Sequence, residues 1–194
     1  MNILLLEQSP SPLGPALQNE NDRIHMLSDP ISPEVLRSRR IEFIISYGYR
    51  HILRKPVLEL LPGRIINLHI SYLPWNRGAD PNLWSFLQDT PKGVSIHYVD
   101  TGVDTGDIIV QREVFFCEEG ETLRTTYNKL QSEILTLFSE SWPLIRSGGC
   151  NRIRQGTESG SFHRKSDKAP FEHLLIKGWD TPVSVLQGKA LEMS

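Results

Sequence analysis

Short, almost wholly apolar runs alternate along this chain with stretches whose apolar residues return every three or four positions. Asn2 to Leu6 is such a run, closed by Gln8-Ser9-Pro10-Ser11-Pro12, and reads as a buried strand entering a turn. Arg23 to Leu27 is a second run. Ser32-Pro33 then supplies a cap and a first-turn proline for a helix through about Arg39, and Glu42 to Tyr47, β-branched and aromatic, predicts a strand stopped by Gly48. Strand, helix, strand is the βαβ pattern of a parallel sheet buried on both faces. Val57 to Leu61 predicts a short helix ended by Pro62-Gly63, and Ile65 to His69 a strand running into the polar loop Ser71 to Ala79. Asp80-Pro81 is a cap and first-turn pair for a helix carrying Leu83, Trp84, Phe86 and Leu87. Val94 to Val99 and Ile108 to Phe116 read as strands on either side of the turn-rich Asp100 to Asp107. Between Gly120 and Gly148-Gly149, Leu123, Tyr127, Leu130, Ile134, Leu137, Phe138 and Ile145 form one stripe on a long amphipathic helix. The chain is then polar and irregular from Asn151 through Lys168, before a last apolar stretch with Phe171, Leu174, Leu175, Ile176 and Trp179. The expectation is an α/β catalytic domain over residues 1–149, a mostly parallel sheet flanked by helices, with 150–194 as an extension packed on the same domain.

Composition narrows the partners. The 194 residues carry 21 Lys and Arg against 23 Asp and Glu, a net charge of −2, so no strong global field gathers nucleic acid or anionic lipid. No stretch approaches the ~18 consecutive apolar residues of a membrane span, and the apolar run at the start is too short for a signal peptide. The reading is a cytoplasmic protein with no membrane partner. Cys117 and Cys150 show neither a paired metal spacing nor C-x-x-C, so they are expected as inert thiols, with no disulfide and no metal site.

Two places carry candidate chemistry. In Asn67-Leu68-His69, alternation along the strand puts an amide and an imidazole on one face, at a strand end followed by a loop, where open α/β sheets place their ligand crevice. The plainer alternative is a histidine satisfied by backbone. Asp100 to Asp107 sets three carboxylates and two glycines between apolar strands; a solvated turn uses the same residues, and the string is not an EF-hand loop. A carboxylate close to the imidazole would keep it protonated enough to donate to an oxyanion or a leaving nitrogen. Two donors and one carboxylate suit acyl transfer to a neutral amine, the donors meeting the tetrahedral oxyanion while the carboxylate helps move the amine's proton. A nucleophilic triad has no support, since G-x-S-x-G is absent.

Asn67-Leu68-His69-Ile70-Ser71-Tyr72-Leu73-Pro74 resembles the N-x-H-x-S-x-L-P signature of the 10-formyltetrahydrofolate-dependent formyltransferases, and Val103-Asp104-Thr105-Gly106-Asp107 resembles their L-D-T-G-D loop. The similarity covers about Phe43 to Gln111 and is looser through the following helix. It implies a Rossmann-like formyl-transfer fold, 10-formyltetrahydrofolate as co-substrate, and catalytic roles for Asn67, His69 and Asp104. It further implies a pterin pocket walled by Tyr49, Arg50, His51, Ile52 and Leu53 on one side and by Asp100, Thr101, Gly102 and Val103 on the other. On the residues alone, Tyr49, Ile52 and Leu53 also suit ordinary sheet packing.

The acceptor amine is harder to read. The chain reaches Tyr47-Gly48 after 46 residues, which reads as an N-terminally shortened form lacking about one strand-helix unit that longer relatives carry before this point. Gln8 to Pro15 lacks the glycine-rich phosphate loop of glycinamide ribonucleotide formyltransferases, and residues 150–194 are few for the added domain of a methionyl-tRNA formyltransferase. Arg77-Gly78-Ala79-Asp80-Pro81 is similar to the R-G-x-x-P of the sugar and tRNA branches, and Gly160 to Lys165 is similar to the short tails of sugar-nucleotide formyltransferases. A nucleotide-linked amino sugar is therefore the favoured substrate, with Ser71, Trp75, Arg77 and Gly78 on its side of the site. His163, Arg164 and Lys165 offer contacts to a diphosphate, or are solvated tail residues. Nucleic acid is not the expected partner, and exposed apolar residues in the tail, if unpaired, favour a homodimer. A glycinamide ribonucleotide or methionyl-tRNA-type enzyme, a formyltetrahydrofolate hydrolase and an inactive folate-binding homologue are the alternatives.

Overall fold

The computed structural model describes residues 1–7, 12–17, 21–117, 119–156 and 160–193; the predicted turn at 8–11 lies outside them. Six strands form one sheet: β1 (Asn2–Glu7), β2 (Arg23–Leu27), β3 (Phe43–Tyr47), β4 (Ile65–His69), β6 (Gly93–Tyr98) and β7 (Ile108–Glu113), in the order β2-β1-β3-β4-β6-β7. The pairs β1–β2, β1–β3 and β3–β4 run parallel, whereas β4–β6 and β6–β7 are antiparallel. The apolar runs are continuous because both faces are covered. Ile3, Leu5, Ile45 and Ile66 pack under α4 (Leu123–Ser147) with Leu130, Ile134 and Phe138. Leu4, Leu6, Ile44 and Ile65 meet Leu36 of α1 (Pro33–Ser38) and Val57 of α2 (Lys55–Leu58) on the opposite face.

Helix α4 follows the predicted stripe, with Thr122 accepting from the Thr125 amide at its start and Gly148, left-handed at φ 74°, at its end. Thr126 and Trp142 are buried as well, while Tyr127 turns toward an open cleft. The expected Asp80 cap is not formed. Asp80 is left-handed (φ 52°), Pro81 alone starts α3 (Pro81–Leu87), and the Asp80 carboxylate meets Lys168 Nζ at 2.9 Å.

The segment after α4 packs on the domain. Phe171, Val183 and Leu186 join Leu83, Trp84 and Leu87 of α3 in a third apolar cluster. Leu174 and Leu175 are partly buried against it, whereas Ile176 is 90% exposed. The predicted polar loop after β4 contains a two-residue strand, β5 (Arg77–Gly78), paired in parallel with β8 (Phe162–His163). This short pairing draws the tail to the carboxyl edge of the sheet. Among the described residues, no helix is long and apolar enough to cross a membrane.

Candidate active site

Strand β4 lies between β3 and β6, with Asn67 paired to Ser46 on one side and to His97 on the other. Ile66 and Leu68 point under α4, so the alternate residues Asn67 and His69 share the other face, as the spacing predicts. The loop after β6 returns Asp104 to them. Gly106 permits this return because a Cβ there would stand 1.8 Å from the Tyr98 carbonyl oxygen, and the Tyr98 amide closes the turn on the Asp107 carbonyl at 2.9 Å. The three carboxylates of the loop thereby take different tasks. Asp100 Oδ1 accepts from the Gly102 amide (2.9 Å) and the Thr105 hydroxyl (2.6 Å), Asp107 faces Arg152 at 3.9 Å, and Asp104 faces the strand end.

Asp104 is held from several directions. Its Oδ1 lies 3.2 Å from Asn67 Nδ2 and 3.4 Å from His97 Nε2; its Oδ2 accepts from the Gly78 amide at 2.9 Å and lies 3.8 Å from His69 Nε2. Burial opposes its charge more than any other single influence, yet the His69 charge, the His97 contact and the Gly78 amide together hold its carboxyl well below the usual carboxylate range. His69 Nε2 is 3.1 Å from the Asn76 carbonyl and His97 Nδ1 is 2.8 Å from the Tyr98 carbonyl. A carbonyl only accepts, so each of those nitrogens carries the hydrogen. That leaves His97 Nε2 to accept from Asn67 Nδ2 at 3.2 Å when the ring is neutral. The arrangement is an ionised carboxylate, an amide and two imidazoles gathered at one strand end, suited to meeting charge on a carbonyl oxygen and to moving a proton.

These groups open on a cleft of about 1090 Å³, at the upper end of ligand-site volumes of roughly 300–1,000 Å³. Tyr49, Arg50, His51, Ile52 and Leu53 line it, as do Asp100, Gly102, Val103 and Gly78. Four expected site residues do not. Thr101 is exposed outside the lining. Ser71 is buried, its carbonyl taken by the Ser95 hydroxyl at 2.7 Å. Trp75 sits in a turn with its amide on the Tyr72 carbonyl, and the Arg77 side chain reaches back to the Ser161 carbonyl at 3.4 Å. Ser71, Trp75 and Arg77 therefore shape the loop rather than face the cleft.

The residues missed by pattern came from elsewhere. His97 is one polar position on an apolar strand, and only the β4–β6 register sets it opposite Asn67. Tyr127 and Gln131 line the wall from α4, where Gln131 Oε1 accepts from Tyr47, a residue of the segment that the resemblance already placed at the pocket. Burial pushes the Tyr47 hydroxyl up to about 12, so it stays a donor. From the tail, His163 and Lys165, which the sequence offers as diphosphate contacts, line the cleft with Phe162, whereas Arg164 does not. The His163 ring is stacked on Trp84 with centroids 3.7 Å apart, which fixes it in the wall and assigns Trp84 to packing. Among the described residues, no group of three or more His, Cys, Asp or Glu is placed to hold a metal ion, and Cys117 and Cys150 are free.

Comparison with known proteins gives a consistent picture. A family model described as formyl transferase matches residues 7–140. The formyltransferase PseJ from Anoxybacillus kamchatkensis, solved in complex with UDP-4,6-dideoxy-4-formamido-L-AltNAc and tetrahydrofolate, is 51% identical. The alignment covers 98% of this chain and 100% of that one, with a TM-score of 0.92. The methionyl-tRNA formyltransferase of Desulfotalea psychrophila is 40% identical over 174 residues, 82% of this chain and 54% of that protein. Its counterpart in Syntrophus aciditrophicus is 41% identical over 169 residues, 87% of this chain and 53% of that protein. The chain thus spans about half the length of the curated relatives it matches.

Proposed function

The chain belongs to the formyl transferase family, and on that premise we propose that it transfers the formyl group of 10-formyltetrahydrofolate to the primary amine of a nucleotide-linked amino sugar. The observation that carries the reading is the convergence of Asn67, His69 and Asp104 at the carboxyl edge of the sheet, in a cleft lined by both loop and tail residues. Ile52 and Val103 are exposed apolar residues from two loops that both line the cleft, a fit for the faces of a flat pterin. Among the tail residues that line it, Phe162 is 44% exposed and Lys165 adds a cation, a fit for a base or sugar and a diphosphate. The solved relative at 51% identity carries a UDP-linked formamido sugar and tetrahydrofolate, which supports both assignments.

10-Formyltetrahydrofolate supplies the formyl carbon: the amine nitrogen bonds to it, the bond to N10 breaks, and a proton from the amine ends on N10. Asn67 and His69 meet the charge that grows on the formyl oxygen. Their hydrogens are satisfied inside the protein at Asp104, His97 and the Asn76 carbonyl, so donation to the formyl oxygen exchanges an internal acceptor for it, and the groups stay ordered until then. Asp104, ionised beside both imidazoles, accepts or relays the amine's proton.

The identity of the relatives from Desulfotalea and Syntrophus favours methionyl-tRNA as the second acceptor to test. Incubation with 10-formyltetrahydrofolate and a panel of amino-sugar nucleotides, glycinamide ribonucleotide and charged initiator tRNA, followed by mass analysis, decides among them. A formylated sugar nucleotide with tetrahydrofolate is the expected product. A formylated tRNA overturns the acceptor, free formate means a hydrolase, and binding without turnover means a folate-binding module.

A further inference from the structure

We infer that Gln155 is a positioning residue for Asp104, acting from the segment after α4 through the backbone of the loop that carries the carboxylate. Gln155 Nε2 donates to the Asp104 carbonyl at 2.9 Å and to the Gly106 carbonyl at 2.7 Å, bracketing Thr105 and fixing the peptide groups that follow Asp104 and Gly106. Two carbonyls can only accept, so the amide nitrogen, not the oxygen, must face them. Oε1 is left buried with no hydrogen-bond partner among the described residues, a cost that marks the donor end as the one the fold uses.

The pinned residue needs such support. Asp104 is left-handed at φ 53°, a strained conformation for a residue with a side chain, held only where its surroundings over-determine it. The same segment docks around the loop at three further points. Ile153 exchanges backbone bonds with Ile108 at 2.8 and 2.9 Å, the Arg152 guanidinium lies 3.8 Å over the Tyr98 ring, and Arg152 faces Asp107 at 3.9 Å. Gln155 supplies the contact that reaches Asp104 itself. A neutral amide does this without adding a cation that would compete with His69 and His97 for the carboxylate. Releasing the two carbonyls frees the loop to rotate, and Asp104 then leaves Asn67, His69, His97 and the Gly78 amide together.

The inference rests on Asp104 being the reacting carboxylate, so the test carries Asp104→Asn beside Gln155→Met, which keeps the length and removes the donor at every pH, and Gln155→Glu, which keeps the shape and cannot donate while ionised. For each, kcat and KM for 10-formyltetrahydrofolate are measured across pH with the acceptor that the wild type formylates, together with the thermal midpoint. The groups facing Asp104 are His69 on β4 and His97 on β6, with His163 and Lys165 of the tail and Asp100 of its own loop in the same cleft. Both Gln155 variants should lose about 10- to 100-fold in kcat, as supporting-residue changes do, with KM for the folate within about twofold. The acid limb of kcat should move to higher pH as Asp104 loses the imidazoles. Gln155 variants with kcat within twofold of wild type, or a loss that follows the thermal midpoint with the acid limb unmoved, overturn the inference while an inactive Asp104→Asn leaves the reading of the site standing. A fully active Asp104→Asn, or a wild type that formylates no acceptor, removes that reading and this inference with it. If one Gln155 variant does not fold, the other decides.

Discussion

Asp104 is a left-handed, buried residue whose charge is maintained against that burial by two imidazoles and a backbone amide. On the proposed role of Asp104 as proton acceptor, its removal should be felt in turnover: Asp104→Asn is expected to lose about 10² to 10⁴ in kcat, with folate affinity measured by titration little changed. The same residue makes a stability prediction. A carboxyl held below its ordinary value in the folded state stabilises that state above the unfolded value of 3.8 and gives the contribution up as pH falls through the folded value. Denaturant unfolding should therefore show wild type losing stability relative to Asp104→Asn as pH drops below 3.8, and a difference independent of pH would contradict it. Asn67 and His69 were legible in the sequence because strand alternation alone sets them on one face. Asp104 was not separable from Asp100 and Asp107 by composition, since all three suit a turn; their tasks differ only once Gly102, Thr105 and Arg152 are seen to occupy the other two. His97 needed a strand register that no local pattern encodes.

The pairing of β5 with β8 is the smallest element in the fold and has a direct line to the site, because the Gly78 amide both belongs to it and donates to Asp104. Gly78 has φ 87°, and a Cβ there would stand 2.3 Å from the His163 carbonyl and 2.9 Å from the Phe162 ring. Gly78→Ala is expected to cost about 1–3 kcal/mol of stability from backbone strain and to lower kcat by about 10-fold or more through the lost hold on Asp104, read by thermal unfolding and steady-state kinetics. A second element-level link is the two-bond contact of Arg146, in the last turn of α4, with Asp22 at 2.9 and 2.8 Å, which lowers the Asp22 carboxyl to about 2. Asp22→Asn should destabilise by about 1 kcal/mol at neutral pH, and the difference in thermal midpoint should narrow as pH falls from 3.8 toward 2. The long helix and the strands β1 to β4 were readable from periodicity. Strand direction beyond β4 was not, since alternation is the same in parallel and antiparallel pairs, and a two-residue strand such as β5 or β8 has no period to read. Asp80 looked like a cap because its residue type and the following proline fit one, but Lys168, distant in sequence, holds its carboxylate instead.

At the scale of the molecule, the cleft draws on separate parts of the chain. Loops after β3 and β6 bring Ile52 and Val103, α4 brings Tyr127 and Gln131, and the tail brings Phe162 and Lys165. If the tail side takes a sugar nucleotide, Lys165→Ala should raise KM for that acceptor by about fivefold, the loss of one exposed phosphate contact of roughly 1 kcal/mol, with KM for the folate unchanged; an equal rise in both would place Lys165 elsewhere. The strand that the tail joins was the least legible feature: Gly160 to Lys165 suggested contacts to a diphosphate, but its polar, irregular sequence gives no sign of β8. The most direct measurement is single-turnover transfer of a ¹³C-labelled formyl group from saturating 10-formyltetrahydrofolate to the sugar-nucleotide amine, comparing wild type with Asn67→Ala and His69→Ala. Loss of either donor should slow transfer by about 10² to 10³ while the label still ends on the amine and folate affinity stays within about threefold. Transfer by His69→Ala at near the wild-type rate would contradict the account.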